Sequence, residues 1–298
     1  GDPSTWLNAP MSDAENIALT LTATKLRDPL TDVIYSFQTS RTLFRPYQFK
    51  PVLKMLMGTK QRILIADEVG LGKTIEAGIV ISQKWAERKR KLLIIAPATL
   101  RKQWQQELMD KFSIPSTILE NASYKQLRKE GKLASGDTLL ICSYNFAANK
   151  ADVLEDIAWD LVVIDEAHRL RNVYKTGNKM AAAIAEVVAD VPKILLTATP
   201  LQNSLLELYG LVSIIDPHVF GDITSFKEQY VRGVNEALRN SRLKERIKPF
   251  CQRTLRKQVL EYIKFTQRVA MTEEFVPSDD EHRLYEQVSA YLQREKLN

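Results

Sequence analysis

Cysteine and histidine are nearly missing from this 298-residue chain, with two of the first and three of the second. Cys142 and Cys251 stand alone, without a second cysteine or a suitably spaced histidine, which excludes a disulfide framework and a Cys/His zinc site and fits a reducing cytoplasm. Long apolar runs are lacking too: none approaches the ~18 residues a membrane helix needs, and no basic stretch followed by an apolar one opens the chain. No segment repeats at solenoid or propeller periods, and no tract is of low complexity. A soluble, intracellular protein with no membrane partner is expected. Gly1 to Pro10 precede Met11, a natural place to start, so this decapeptide is read as an added remnant outside the fold.

What is present is enough for a large core, since 45% of the residues are hydrophobic. Forty-two Lys and Arg against 36 Asp and Glu leave a net charge of +6, a balance that favours an anionic partner such as nucleic acid without deciding for one. Short apolar, β-branched runs alternate with amphipathic stretches, as parallel strands joined by crossover helices do. Strands are predicted at Arg62 to Ala66, Leu92 to Ala96, Ser116 to Leu119, Thr138 to Ser143, Leu161 to Ile164 and Lys193 to Thr197. Helices are predicted at Thr74 to Glu87, Leu100 to Lys111, Ala151 to Ile157 and Lys179 to Val188. The fold class is therefore α/β, a doubly wound and mostly parallel sheet. In such a sheet ligands bind at the carboxyl ends of strands, which directs attention to the loops after Ala66, Ile164 and Thr197. Beyond Asp216-Pro217 the alternation stops, and the rest reads as helical, with a basic stretch from Arg239 to Lys257.

The first of those loops, Asp67-Glu68-Val69-Gly70-Leu71-Gly72-Lys73-Thr74, lies between a predicted strand and a predicted helix, the context a phosphate-binding loop requires. Backbone N–H groups converge there on anionic oxygens, the helix N-terminus adds a favourable dipole, and glycines allow close approach. Lys73 would reach the β- and γ-phosphates of ATP, and Thr74 would place its hydroxyl on Mg²⁺. Asp67 stands where the usual pattern has glycine. The second loop follows Leu161-Val162-Val163-Ile164 with Asp165-Glu166-Ala167-His168: Asp165 would hold Mg²⁺ and Glu166 would orient and deprotonate the attacking water. Alone, an acidic pair at a strand end is more often a helix cap; behind a phosphate loop it becomes catalytic machinery. The third loop carries Thr197 and Thr199 before Pro200, whose hydroxyls would couple to His168 or Glu166 and report the nucleotide's state.

In this order, these residues resemble the motors of helicase superfamily two. Asp-Glu-Val-Gly-Leu-Gly-Lys-Thr-Ile-Glu-Ala-Gly resembles more narrowly the Swi/Snf-type branch and its bacterial RapA-like members, as do Arg45-Pro46-Tyr47-Gln48, Ile95-Ala96-Pro97 with Trp104, Ile141-Cys142-Ser143-Tyr144, His168 to Asn172 and Thr199 to Asn203. The resemblance spans about Arg41 to Lys257. It implies that Gln48 reads the adenine edge, and that Pro97, Thr99, Ser143, Tyr144, Arg169, Arg171 and Asn172 line a track for duplex DNA, with sequence-independent contacts to phosphates. It implies a division into an N-terminal extension at 11–40, a RecA-like ATP-binding lobe at 41–217 and a helical extension at 218–298 leading toward a second RecA-like lobe. The basic residues Arg242, Lys244, Arg246, Lys248, Arg253, Arg256 and Lys257 resemble the helix leading that way. The tryptophans, His218 and His282 are assigned to packing or surface.

In that family arginines of the second lobe, in a motif containing Gly-Arg, complete catalysis. This chain contains no Gly-Arg pair. It is expected to bind ATP weakly and hydrolyse it very slowly by itself, whereas the intact motor would move along duplex DNA in the bacterial cytoplasm or nucleoid, within a larger complex in some settings. Two other readings stay open from the residues alone: a phosphate-loop enzyme acting on a small substrate, and a non-hydrolysing scaffold.

Overall fold

The computed structural model describes residues 45–58, 60–198, 205–232, 235–259 and 278–292. Seven strands form one sheet: β1 (Arg62–Ile65), β2 (Leu92–Ala96), β3 (Ser116–Ile118), β4 (Leu139–Ser143), β5 (Leu161–Ile164), β6 (Lys193–Leu196) and β7 (Cys251–Gln252). Their order is β3-β4-β2-β5-β6-β1-β7, and every pairing is parallel. The principal helices are α1 (Phe49–Met57), α2 (Lys73–Ala86), α3 (Arg101–Phe112), α4 (Lys179–Val187), α5 (Leu205–Ile215), α6 (Glu236–Ile247) and α7 (Asp279–Leu292). None of the described helices is long and apolar enough to cross a membrane.

The strands read as unbroken apolar runs because both faces of the sheet are covered. Successive residues serve opposite cores. Leu64, Leu93, Ile95, Val162 and Leu195 enter one cluster, with Ala181 and Ile184 of α4. Ile63, Ile65, Ile94, Val163 and Ile194 enter the other, with Ile79 of α2 and Trp104 and Leu108 of α3. Each fully buried Val, Leu or Ile side chain contributes about 1.5–3 kcal/mol relative to exposure, so the sheet is the stable platform on which the loops are mounted.

The predicted strands all form, with ends moved by a residue or so. The segment after Asp216-Pro217, expected to be helical, departs from that reading in one respect. It returns a strand to the sheet, β7, paired with β1 through Leu64↔Cys251 and Ile65↔Gln252. Leu64 N–H donates to Phe250 O at 2.7 Å and Ala66 N–H to Gln252 O at 2.8 Å. A two-residue strand carries no periodicity to detect; pairing with β1 creates it. The basic stretch is correspondingly not one helix, since α6 ends at Ile247 and Arg256 lies in a short 3-10 turn. Between α5 and α6 a third cluster forms around Tyr209, Phe220, Phe226 and Tyr230, with ring centroids 4.9–5.7 Å apart.

The chain divides into two compact units between Tyr262 and Ile263. In the described part of the second, α7 exposes Leu284, Tyr285 and Val288.

Candidate nucleotide site

Because every strand runs the same way, the loops after β1, β5 and β6 emerge on one edge of the sheet, with β6 between the other two. The loop after β1 turns through Gly70 (φ +86°) and Gly72 (φ +89°), a left-handed backbone that glycine adopts without steric cost. Gly72 has a second reason: a Cβ there would lie 2.6 Å from Gln48 Nε2. Lys73 then opens α2. Its Nζ donates to Asp67 O at 2.8 Å and lies 3.4 Å from Glu68 O, folded back along the loop it belongs to.

Across the cleft, Asp165 is fixed at every polar atom. Its N–H donates to Ile95 O at 2.8 Å. Oδ2 accepts from Trp104 Nε1 at 2.8 Å, Oδ1 from Glu166 N–H at 2.9 Å, and the carbonyl from the Tyr144 hydroxyl at 2.5 Å. Burial lifts the Asp165 carboxyl above its ordinary range; the Trp104 bond opposes this and the Glu166 charge reinforces it. Glu166 adopts φ +53°, a left-handed conformation that costs a residue with a side chain ~1–2 kcal/mol. Its Oε2 stands 3.1 Å from His168 Nδ1, within ion-pair distance but out of alignment for a hydrogen bond. Such strain at a strand end is characteristic of functional positions.

Lys73, Thr74, Asp165 and Glu166 line a common cleft of about 400 Å³ together with Val69, Gly70 and Gly72. That volume lies in the range of small-molecule sites. Backbone N–H groups at a helix N-terminus and a lysine suit a polyphosphate, and a hydroxyl with carboxylates suits a hard divalent cation, so these residues fit ATP with Mg²⁺.

The family follows from the sequence as a whole: the chain belongs to the SNF2-related domain family, which it matches over residues 47–298. It is 32% identical over 248 residues to the uncharacterized ATP-dependent helicase YqhH of Bacillus subtilis, an alignment covering 82% of this chain and 42% of that protein. It is 35% identical over 205 residues to the RNA polymerase-associated protein RapA of Serratia proteamaculans, covering 65% of this chain and 21% of RapA. Among solved structures it resembles the Sulfolobus solfataricus SWI2/SNF2 ATPase core in complex with dsDNA, with a TM-score of 0.62 and 26% identity over 76% of this chain and 46% of that one. The chain thus spans less than half the length of these relatives, and its fold is that of the SNF2 ATPase core.

Several expected site residues sit elsewhere than on the cleft wall. The Asp67 carboxylate turns into the interior, fully buried, and accepts from Thr254 N–H at 2.7 Å. Beside it Glu76 is buried as well. Loss of solvent, then the Asp67 charge, pushes its carboxyl well above the ordinary carboxylate range. Glu68 accepts from Arg256 N–H, and Leu71 is buried with its carbonyl receiving the Tyr47 hydroxyl at 2.9 Å. Gln48 packs beneath the glycine turn, its Nε2 3.3 Å from Leu71 O and its Oε1 accepting from Arg45 N–H. Thr197 is buried and its N–H donates to Ile65 O at 3.0 Å, holding β6 to β1; Thr199 lies outside the described residues.

Of the residues assigned to DNA, Thr99 and Arg169 are exposed, and Ser143, Arg171 and Asn172 are partly so. Ser143 caps a short helix by accepting from Phe146 N–H, and Arg171 pairs with Glu207 of α5 at 3.2 Å. Alongside that pair, a Cβ on Gly210 would come within 1.9 Å of Arg171 O, so only glycine lets α5 lie against this turn. Tyr144 and Pro97 are buried, unlike the other residues of the expected track. Tyr144 instead joins Asp165 to Arg169, whose guanidinium carbon lies 5.7 Å from its ring centroid.

Reading Trp104 as packing alone was also incomplete, because its indole N–H binds the Asp165 carboxylate. Gln103, Glu107 and Lys111, on the same face of α3, line the cleft and had no assigned role. Their spacing of four residues on a predicted helix was a signal, but it became informative only once Trp104 of that helix was placed on Asp165 in the loop after β5.

Proposed function

We propose that this chain is the first lobe of an ATP-driven motor that moves along duplex DNA. The observation that carries it is the meeting of Lys73, Thr74, Asp165 and Glu166 in one cleft at the carboxyl edge of the sheet. The N–H groups of the glycine turn and of the start of α2 receive the phosphates. Lys73 exchanges its two loop carbonyls for β- and γ-phosphate oxygens. Thr74 and Asp165 hold Mg²⁺, which when bound neutralises charge developing on the phosphoryl group. Glu166 accepts the proton of the attacking water, its strained backbone aiming the carboxylate, while His168 and Thr197 tie the cleft to neighbouring loops. Gln48 meets adenine by giving up its present partners.

The loops after β4, β2 and β5 are adjacent in the sheet, so Ser143, Thr99, Arg169, Arg171 and Asn172 form one surface for phosphates of either strand, whatever the sequence. The complex of the Sulfolobus relative with dsDNA supports that track, and association of RapA with RNA polymerase supports work within a larger complex. A second RecA-like lobe supplies the missing arginines, and ATP closes the two lobes while hydrolysis reopens them, in the bacterial cytoplasm or nucleoid.

The test is ATPase activity of the full-length protein with no polymer, single-stranded DNA, duplex DNA or RNA. Duplex DNA is expected to stimulate most, and the 298-residue chain alone to run about 10³–10⁵-fold slower. Equal rates under all four conditions refute a DNA motor. Trp104→Phe keeps one aromatic ring but removes the pyrrole ring and with it the N–H on Asp165; a hydrogen bond to a charged group contributes ~1.5–3 kcal/mol, so turnover should fall about tenfold or more. Steady-state kinetics of the full-length variant check this, and unchanged turnover would mean that Asp165 needs no such support.

A further inference from the structure

The loop's departure from the glycine pattern at Asp67 has a partner 187 positions away. After β7 the chain extends the parallel pairing with β1 and crosses alongside the phosphate loop, bonded to it at alternate residues. Glu68 N–H donates to Thr254 O at 3.2 Å, and Thr254 N–H returns a bond to Asp67 Oδ1 at 2.7 Å. Arg256 N–H donates to Glu68 Oε2 at 2.8 Å. The Arg256 guanidinium reaches Val69 O with Nη2 at 2.8 Å and Nε at 3.2 Å. Together with the bonds of Leu64 and Ala66 to Phe250 and Gln252, this attaches every second residue from 64 to 68 to the crossing segment. Asp67 and Thr254 are buried, whereas Val69 and Gly70 are exposed at the tip. The crossing segment is thus rooted in the core and reaches outward to the part of the loop that meets phosphate.

We propose that Arg256 and Asp67 are positioning residues that weld the phosphate loop to the crossing segment, so that a change in the loop on nucleotide binding is handed to residues 251–259. In sequence, that segment leads to the division between the two compact units at Tyr262 and Ile263. Two features make the weld specific. A glycine at Asp67 would satisfy the loop but leave Thr254 N–H without its carboxylate. The guanidinium's paired donors fix the direction of the Val69 carbonyl, and with it the peptide plane that presents Gly70 N–H. The basic run around Arg256 is thereby divided: this arginine faces the nucleotide loop rather than a DNA backbone.

The inference rests on the nucleotide reading of the cleft. It is tested by hydrogen exchange on the 298-residue chain, with and without saturating Mg-ATP. In the wild type, amides of the loop (66–74) and of the crossing segment (251–259) are expected to slow together, each by at least about threefold. Arg256→Ala should keep the slowing in the loop and lose it in the segment. Arg256→Lys retains one donor and should restore part of it, a graded rescue that mere loss of stability would not produce. If Mg-ATP slows the loop but not the segment in the wild type, or if Arg256→Ala leaves both coupled, the weld is refuted while the nucleotide site stands. If it slows neither, the nucleotide reading fails and this inference with it.

Discussion

Glu166→Gln in the full-length protein is expected to lower ATP turnover by about 10²–10⁴-fold while leaving the affinity for Mg-ATP within about threefold, because it removes a proton acceptor and almost nothing else. Glutamine has nearly the shape of glutamate and can occupy the same left-handed position at φ +53°, so the backbone N–H on Asp165 Oδ1 is retained. The amide cannot take a proton from water. It also loses the charge that stands 3.1 Å from His168 Nδ1, and His168 should become more mobile. Steady-state turnover with duplex DNA, paired with a binding isotherm, separates the two effects. A variant that turns over like the wild type would strip Glu166 of its role and leave the acidic pair as a cap on the turn that follows.

Lys73→Ala is expected to abolish the rise in melting temperature that Mg-ATP gives the 298-residue chain. A ligand at a hundred times its Kd stabilises by about 2.7 kcal/mol, and removing the lysine proposed to reach the phosphates should weaken binding enough to erase that at millimolar ATP. Lys73 has a second task without nucleotide, since its Nζ holds the carbonyl of Asp67. That bond is partly exposed and contributes only about 1 kcal/mol, so the ligand-free variant should melt within a few degrees of the wild type. The measurement is thermal unfolding with and without Mg-ATP for both proteins. Retained stabilisation would place the nucleotide elsewhere.

Much of this site could be read without coordinates because it is built from local rules. Gly70, Gly72, Lys73 and Thr74 are consecutive or nearly so, and the turn they make depends on backbone conformations only glycine adopts cheaply. Asp165 and Glu166 follow four apolar residues buried on both faces, a pattern that declares a parallel strand and its carboxyl end. Tyr144 shows where local rules stop: a polar aromatic after a strand looks the same whether its hydroxyl meets a phosphate or, as here, the carbonyl of Asp165. Trp104 was read too narrowly for the same reason, since an indole is apolar in every pattern until its one donor finds a partner.

The order of residues by itself determined the parallel sheet, the phosphate turn and the acidic pair, since period, glycine placement and strand ends are properties of neighbours along the chain. Tertiary structure alone decided that Thr254 and Arg256 close over residues nearly two hundred positions earlier, that Asp67 turns inward, and that Trp104 steadies Asp165. A hydrogen bond between distant segments leaves no trace in either one, because each donor and acceptor is as well satisfied by water until folding removes it.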